Sequence, residues 1–329
     1  MLTHTLFTNT FHYIGFTLAT LSSVIFILFG IAFFTLLERK VLSSIQRRRG
    51  PNILGIFGFL QPFADGLKLL LKEVLYLSSS TFFLFLISPI ITFSFTLLIW
   101  FLIPFNNGFL VLELPLSILV LFCIASLSVH GIIFSGWASN SKYAFLGGIR
   151  SASQLISYEL CLGTIFLGVA LLSGSFSLLE IVAAQRRIWY IFPLLPFFFI
   201  FYISALAETN RTPFDLPEAE AELVAGYNVE YSAIAFALFF LAEYGNIMIM
   251  SCLSTIFFLG GWHFFFLNPV FSFSLKVCLN MFIFIWVRAA FPRYRYDQLM
   301  STGWRMLVPI SFFFLLFEFS LLRGLLFFI

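Results

Sequence analysis

Long uninterrupted apolar runs are the feature that most constrains what this chain can fold into. About eight runs approach or exceed the roughly 20 residues that a helix needs to cross a bilayer. They cover residues 14–37, 81–104, 115–137, 153–173, 188–207, 231–259, 270–290 and 306–327. The runs are continuously apolar and lack the alternating pattern of a membrane β-barrel. The sequence therefore predicts an all-α polytopic membrane protein, with residues 1–329 forming a single membrane domain.

The composition supports lipid as the solvent. Hydrophobic residues make up 61% of the chain and charged residues 10%, whereas a soluble domain carries about 25% charge. The four cysteines, Cys123, Cys161, Cys252 and Cys278, are isolated within apolar runs. This spacing argues against disulfides and against zinc or iron–sulfur ligation. No dinucleotide-binding or phosphate-binding glycine motif is present, and only His130 of the four histidines lies inside a span, which disfavours a haem-binding helix pair.

The first residues of the chain and its phenylalanine content bear on where it is made. Residues 1–13 contain no Lys or Arg, and the following apolar run is too long for the core of a signal peptide. We expect a retained first transmembrane helix. The 49 phenylalanines have T-rich codons, as expected of an AT-biased genome such as that of an organelle.

Basic residues are divided unequally between the two sides of the predicted bundle. If the N-terminus is outside, segments 38–80, 138–152, 208–230 and 291–305 share one side, the matrix side in a mitochondrion. That side and the adjoining helix ends collect Arg39, Lys40, Arg47, Arg48, Arg49, Lys68, Lys72, Lys142, Arg150, Arg211, Arg288, Arg293, Arg295 and Arg305. The other side keeps Arg186, Arg187, Lys276 and Arg323. The positive-inside rule then places both termini on the opposite, intermembrane-space side.

Two of the segments on the basic side differ from simple connecting loops, since one contains an amphipathic stretch and the other is acidic. Residues 61–73 are amphipathic, with Leu67, Leu70 and Leu71 on one helical face, which predicts a helix lying in the membrane interface. Segment 208–230 is acidic. The motif Arg47-Arg48-Arg49 has no accompanying nucleic-acid fold, so it is interpreted as setting topology and binding anionic lipid or a partner subunit.

Carboxylates inside or beside the spans are the candidate functional groups. Glu159 is predicted about one turn into the fourth helix, after an apparent capping box at residues 151–154, and Glu243 near the middle of the sixth. Glu208, Glu218, Glu220, Glu222 and Glu230 follow in or beside the acidic segment. Burial and like-charged neighbours both raise carboxylate pKa values, so a series of such groups can pass protons. A solvated acidic face and plain structural hydrogen bonding remain alternatives.

Several long motifs give the chain a family resemblance. They are Leu37-Glu-Arg-Lys40, Arg49-Gly-Pro-Asn52, Gln61-Pro-Phe-Ala-Asp65, Lys72-Glu73, Ser135-Gly-Trp-Ala-Ser-Asn-Ser141, Ile156-Ser-Tyr-Glu159, Ala207-Glu-Thr-Asn-Arg-Thr-Pro-Phe-Asp215, Glu222-Leu-Val-Ala-Gly-Tyr-Asn-Val-Glu-Tyr231, Ala242-Glu-Tyr244 and Phe291-Pro-Arg-Tyr-Arg-Tyr-Asp-Gln298. With these motifs the chain resembles the quinone-site membrane subunits of complex I, which are subunit 1 in mitochondria and its bacterial counterpart. The resemblance covers nearly the whole chain, except the apolar second half of the last helix.

The resemblance implies a function and assigns residues to it. The chain would form much of the quinone tunnel, with Glu38, Arg39, Asp65, Arg288 and Arg293 lining or supporting it. Proton transfer would use Glu159, Glu208, Glu218, Glu220, Glu222, Glu230 and Glu243. The chain itself would hold no catalytic residue, metal or cofactor. Ubiquinone would be the substrate, with NADH, FMN and iron–sulfur clusters on partner subunits of the peripheral arm.

The resemblance also implies partners and a location, and it leaves two competing functions. The partners would be the peripheral-arm subunits with the terminal iron–sulfur cluster, other membrane-arm subunits and lipids such as cardiolipin, with no nucleic acid. The location would be the mitochondrial inner membrane. The alternatives are the related membrane anchor of a membrane-bound hydrogenase and a free-standing proton- or ion-coupled transporter.

Overall fold

The computed structural model confirms the all-α prediction. It describes residues 2–75, 78–106, 111–215, 226–264 and 267–327, with side chains described between residues 17 and 324 of these ranges. The helices are α1 Leu2–Ile45, α2 Gln61–Leu71, α3 Phe82–Trp100, α4 Ser117–Ala138, α5 Lys142–Ser173, α6 Leu178–Ala184, α7 Leu195–Glu208, α8 Ala233–Phe257, α9 Pro269–Ala290, α10 Tyr296–Thr302 and α11 Val308–Phe327. Within the described ranges no β-strand occurs.

Seven of these helical stretches are long and apolar enough to cross a membrane. They are the part of α1 at Thr17–Ile45, then α3, α4, α5, α8 and α9, and finally the continuous stretch Tyr296–Gly324. The predicted fifth span, 188–207, corresponds to α7, which begins at Leu195 and is shorter. Its 14 residues rise about 21 Å, less than the roughly 30 Å hydrocarbon core.

Helix α5 begins well before the predicted position. The sequence analysis placed residues 138–152 in a connecting segment, but the helix starts at Lys142, where the Ser141 hydroxyl accepts a hydrogen bond from the Ala144 amide at 3.4 Å. Small residues let it run close to its neighbour, because a Cβ at Gly148 would lie 3.2 Å from the Gly136 Cα in α4. Glu159 is therefore deep inside α5, and the capping box proposed at 151–154 is wrong.

A second predicted loop is also largely helical. Within segment 291–305 the structure forms α10 and a π-helical turn at Gly303–Leu307 that leads into α11. Leu299 of α10 is fully buried, and its carbonyl accepts a hydrogen bond from the Tyr158 hydroxyl at 3.1 Å. This segment is thereby fixed against α5 at the end of the bundle.

Helix α2 has the amphipathic character that its sequence predicts. Proline occupies its first turn, and none of its residues is fully buried. Phe63 packs against Phe29 and Phe33 of α1, with ring centroids 5.9 and 6.1 Å apart. Leu67, Leu70 and Leu71 are exposed. Their placement in a membrane interface stays a prediction.

The long helix α5 runs through the centre of the bundle. It contacts α4, α7 and α11, and Tyr158, Cys161, Ile165 and Val169 along it are fully buried. Close to its start, a Cβ at Gly147 would lie 2.8 Å from the Gly226 backbone. Helix α5 is thus the element against which both ends of segment 209–228 are positioned.

Candidate functional site at the charged end of the bundle

Four buried or partly buried charges meet at the end of the bundle where α1, α7 and α9 finish. This charge cluster consists of Glu38, Arg211, Glu243 and Arg288. Arg211 directly follows the last turns of α7 and is only 7% exposed. Its Nη1 donates to Glu38 Oε1 at 3.1 Å, and its Nε lies 2.7 Å from Glu243 Oε1. One guanidinium therefore joins a carboxylate of α1 to a carboxylate of α8.

The two contacts of Arg211 differ in kind. The contact with Glu38 is a hydrogen-bonded ion pair. The Arg211 Nε–H is not aligned with the Glu243 oxygen, so that contact is a close pairing of charges without a hydrogen bond. The guanidinium carbon also lies 4.5 Å from the Tyr244 ring centroid, within cation–π range. Burial by itself would lower the pKa of Arg211, but Glu243 and Glu38 raise it above its ordinary value.

Arg288 is the second cation of the charge cluster. Its Nη1 also donates to Glu38 Oε1, while its side chain remains partly exposed. Glu38 is 3% exposed, and a buried carboxylate is stable as an anion only when it is paired. Two carboxylates and two guanidinium groups make the cluster electrically neutral, although Glu38 Oε2 has no hydrogen-bond partner among the described residues.

A second ion pair lies beside this cluster. Arg293 Nη2 is 3.0 Å from Asp215 Oδ2. Burial raises the pKa of Asp215 to about 6, although Arg293 acts in the opposite direction. Around this pair the Tyr294 amide donates to the Pro213 carbonyl at 3.0 Å. The Phe214 and Tyr294 rings stack with centroids 5.7 Å apart. These contacts hold segment 209–215 against the segment that follows α9.

The predicted pair Arg39 and Asp65 lies apart from the charge cluster. Arg39 Nη1 donates to Asp65 Oδ2 at 2.8 Å, and both side chains are exposed. Gln61 donates to the other Asp65 oxygen at 3.0 Å. Successive helical residues point about 100° apart, so Glu38 faces the bundle interior while Arg39 faces the outside toward α2. The five predicted quinone-site residues therefore divide into three groups. Glu38 and Arg288 belong to the charge cluster, Arg293 to the neighbouring pair with Asp215, and Arg39 and Asp65 to the outer pair.

A polar cavity extends from the charge cluster into the bundle. Its empty volume is about 480 Å³, including space open to solvent, and it has room for a few water molecules. Both Glu208 and Glu243 line it. Hydroxyl and amide side chains from α3, α4, α8 and the start of segment 209–215 also contribute to the wall, namely Thr92, Thr96, Ser128, Thr209, Asn210 and Asn246.

Glu159 and Glu208 are close enough for their charges to interact. Glu208 is buried at the end of α7 and Glu159 is half-buried on α5. One oxygen of each carboxylate lacks a hydrogen-bond partner among the described residues. The structure thus brings Glu159, Glu208 and Glu243 into one region. The half-buried Glu230 is not among the residues lining the cavity, and Glu218, Glu220 and Glu222 lie outside the described residues.

Gln154 was expected to belong to a capping box, but it lies inside α5 and binds the segment that follows α7. It is fully buried, and its Nε2 donates to the carbonyl oxygens of Ala207 and Phe214, both at 2.9 Å. These bonds fix the turn between α7 and Asp215, which in turn sets the position of Arg211.

The sequence analysis missed two functional candidates, Arg211 and Asp215. Arg211 had been counted only as a topology determinant. The available signal was physical, because carboxylates buried in a membrane protein tend to pair with cations. A further carboxylate in the last helix, Glu318, is also buried, beside Gly168 of α5. That half of the helix had been interpreted as generic apolar sequence.

Over the part of the chain that the structure describes, no group of His, Cys, Asp and Glu suits a metal ion. The polar side chains and ion pairs that the site does contain are of a kind that can pair charges and exchange protons. Glu38 and Glu243 share Arg211 as a partner, and Glu243 also lines the cavity.

Comparison with known proteins gives consistent relatives. The model of the family described as NADH dehydrogenase matches residues 18–319. The chain is 58% identical over 299 residues to NADH-ubiquinone oxidoreductase chain 1 of Cyanidium caldarium, covering 89% of this chain and 87% of the relative. For the same protein of Arabidopsis thaliana the identity is 54% over 306 residues, covering 91% and 94%. For the corresponding subunit of the NADH-quinone oxidoreductase of Paramagnetospirillum magneticum it is 52% over 304 residues, covering 91% and 89%.

Proposed function

Because the chain belongs to the NADH dehydrogenase family and is a complex I subunit of the chain 1 type, we propose that it couples quinone reduction to proton transfer. In this proposal it forms the quinone tunnel together with peripheral-arm subunits. Its buried carboxylates then carry protons away from the tunnel. The names of the relatives favour this function over a hydrogenase anchor or a free-standing transporter.

The observation that carries the proposal is the position of Arg211. It contacts Glu38, which the family resemblance assigns to the quinone path, and Glu243, which the resemblance assigns to the proton relay. A single buried cation thus connects the two proposed functions of the chain. Its two carboxylate partners compete for one positive charge.

The coupling step follows from this competition. Reduction of a quinone to a quinol takes up two electrons and two protons, so negative charge develops at the headgroup before protons arrive. Arg288, partly exposed beside Glu38, is placed to respond to that charge. When Arg288 turns toward the quinone, Glu38 draws Arg211 closer and weakens the hold of Arg211 on Glu243. Glu243 then gains affinity for a proton, because a buried carboxylate that loses its cation is less stable as an anion.

Proton movement beyond Glu243 would use the polar cavity. Water held by Thr92, Thr96 and Asn246 can connect Glu243 with Glu208, which also lines the cavity. Glu208 interacts with Glu159 on α5. We further propose that Glu218, Glu220, Glu222 and Glu230 take part in the same proton exchange, as the family resemblance implies. The outer residues Arg39 and Asp65 would support the tunnel wall near α2.

The proposal includes location and partners. It places the chain in the mitochondrial inner membrane, encoded by the organelle, with its termini on the intermembrane-space side. The electrons come from partner subunits that carry FMN and iron–sulfur clusters, and this chain binds no cofactor of its own. The partners are the peripheral arm, the remaining membrane-arm subunits and lipids. Support comes from the chain 1 relatives and from the distribution of basic residues.

The test compares Glu243→Gln with Glu180→Gln in the assembled complex. Glu243→Gln removes one partner of Arg211 and leaves the pair with Glu38, so we expect quinone reduction to continue while protons translocated per electron fall at least severalfold. Glu180 is an exposed carboxylate on α6 and serves as the matched control. Unchanged proton translocation in an assembled Glu243→Gln complex would remove Glu243 from the relay.

A further inference from the structure

Two adjacent exposed arginines stand out at the end of the bundle opposite the charge cluster. Arg186 and Arg187 follow α6, between the end of α5 and the beginning of α7. Among the described residues they form no ion pair, and the nearby Glu180 on α6 is exposed and not bridged to them. Of the 18 Lys and Arg residues, few lie at this end, where the positive-inside rule disfavours them. Two adjacent arginines with no ion pair to a described residue need a physical reason at this end.

Further positive charge surrounds these arginines. Lys276 at the start of α9 uses all three N–H donors on the carbonyl oxygens of Leu259, Gly261 and His263, at 2.6, 2.9 and 2.9 Å. Lys276 therefore contributes positive charge to this region but has no N–H donor left for a further hydrogen bond. Burial lowers the pKa of His263, and the nearby cations Arg186 and Lys276 lower it further.

An apolar surface begins directly beside the two arginines. Ile188, Phe192, Leu195 and Phe199, here called the apolar strip, are 63%, 72%, 48% and 59% exposed. Leu195 and Phe199 lie four residues apart on one face of α7, and Ile188 and Phe192 lie in the non-helical segment between Arg187 and that helix. The strip therefore runs from the arginines toward the middle of the bundle along the outside of α7. Trp189 directly follows Ile188 in the sequence, and tryptophan is typical of membrane boundaries. Its ring centroid lies 4.5 Å from Lys276 Nζ.

We infer that Arg186 and Arg187 bind the phosphate of an anionic phospholipid whose acyl chains lie along the apolar strip. Guanidinium groups bind phosphate oxygens in pairs of parallel hydrogen bonds. The positive charge of Lys276 adds electrostatic attraction for the phosphate. Its N–H groups are all bonded to backbone carbonyl oxygens, so they do not compete with the arginines for the phosphate oxygens. The strip is what distinguishes a lipid from a free phosphate ion, because only a lipid carries apolar chains that would cover it. Basic pockets beside transmembrane helices bind lipid headgroups on the same principle.

The experiment uses the whole purified complex depleted of lipid. It is titrated with phosphatidylglycerol bearing a photoactivatable acyl chain, and the labelled residues are identified by peptide mass spectrometry. We expect adducts on residues 188–199 with this lipid and few with the phosphatidylcholine analogue. Arg186→Gln/Arg187→Gln should weaken labelling roughly 30-fold. Arg186→Lys/Arg187→Lys, which retains both charges, should keep most of it.

Controls make the result decisive. Arg323→Gln removes an exposed arginine of α11 at the same end, and it should leave labelling of the strip unchanged. Equal labelling by phosphatidylcholine, or full labelling of the double Gln variant, would overturn the inference. Displacement of the lipid by millimolar inorganic phosphate would show a site for free anions instead. Absence of adducts on the strip, when exposed residues of α11 are labelled, would show that another protein covers it and would also overturn the inference.

Discussion

Replacing Arg211 with Gln tests the charge cluster most directly. The substitution leaves Glu38 paired with Arg288 but removes the only described cation beside Glu243, a side chain that is itself only 9% exposed. Removing one partner of a buried ion pair typically costs about 3–5 kcal/mol, because a charge remains buried without compensation. We therefore expect Arg211→Gln to destabilise the folded chain by an amount in that range.

The double variant Arg211→Gln/Glu243→Gln distinguishes the effect of an isolated buried charge from the effect of a lost contact. Both single variants remove a contact, but only Arg211→Gln leaves an isolated buried carboxylate. Removing the carboxylate as well should recover about 2–3 kcal/mol, the upper range of coupling between residues in contact. The double variant should therefore be more stable than Arg211→Gln alone, even though it carries one more substitution.

The assay follows retention of this chain in the solubilised complex during heating. We expect the midpoint temperature for loss of the chain to be highest in the wild type, lower in the double variant and lowest in Arg211→Gln. Arg305→Gln, at an exposed arginine near the start of α11, should match the wild type, since surface substitutions change stability by about 0.5 kcal/mol or less. If the double variant is no more stable than Arg211→Gln, the pairing of Arg211 with Glu243 carries no weight and the coupling argument fails.

Three further outcomes are expected. Arg39→Ala should raise the KM for quinone or weaken inhibitor binding while changing stability by about 1 kcal/mol or less, because its ion pair is exposed; unchanged inhibitor sensitivity would exclude it from the tunnel wall. Asp215 has a pKa of about 6 when folded and about 4 when unfolded, so it binds its proton more tightly in the folded chain. Wild type should accordingly gain stability relative to Asp215→Asn as pH falls from about 7 to about 5, and a constant difference would contradict this pKa. Gly168→Ala should destabilise by about 1–3 kcal/mol, since its Cβ would lie 2.7 Å from the Phe197 ring. By contrast, Gly66→Ala in α2, where nothing lies within 4 Å, should stabilise by up to about 1 kcal/mol, and equal effects of the two would refute the packing argument.

The sequence was sufficient for the helices because the physical requirement is simple. A backbone in lipid must satisfy its own hydrogen bonds, so a long apolar run becomes a helix. The same reasoning fails where helices leave the hydrocarbon. Lys142 and Arg150 marked a loop by hydropathy, yet both lie in α5, whose early start depends on close packing between Gly136 and Gly148. Such a contact is not visible in a single sequence.

The candidate site was predictable in part for a similar reason. Glu243 was recognisable because carboxylates are rare in apolar runs, and Glu38 was assigned through the family resemblance. Their connection was not, because Arg211 is 173 residues from Glu38 and no local pattern indicates such a pairing. The division between Glu38 and Arg39, which are adjacent but face opposite directions, also required the structure.

The attachments of helix α5 have a consequence for how a signal can travel. Gln154 binds the segment ending at Asp215, and Gly147 lies against Gly226. These two positions are seven residues apart on one helix, or about 10 Å. The described residues on either side of the acidic segment, Phe214 and Gly226, therefore both contact α5. If the proposed coupling to quinone reduction passes through this segment, we expect Phe214 and Gly226 to keep their separation, because a change in it would require α5 to move.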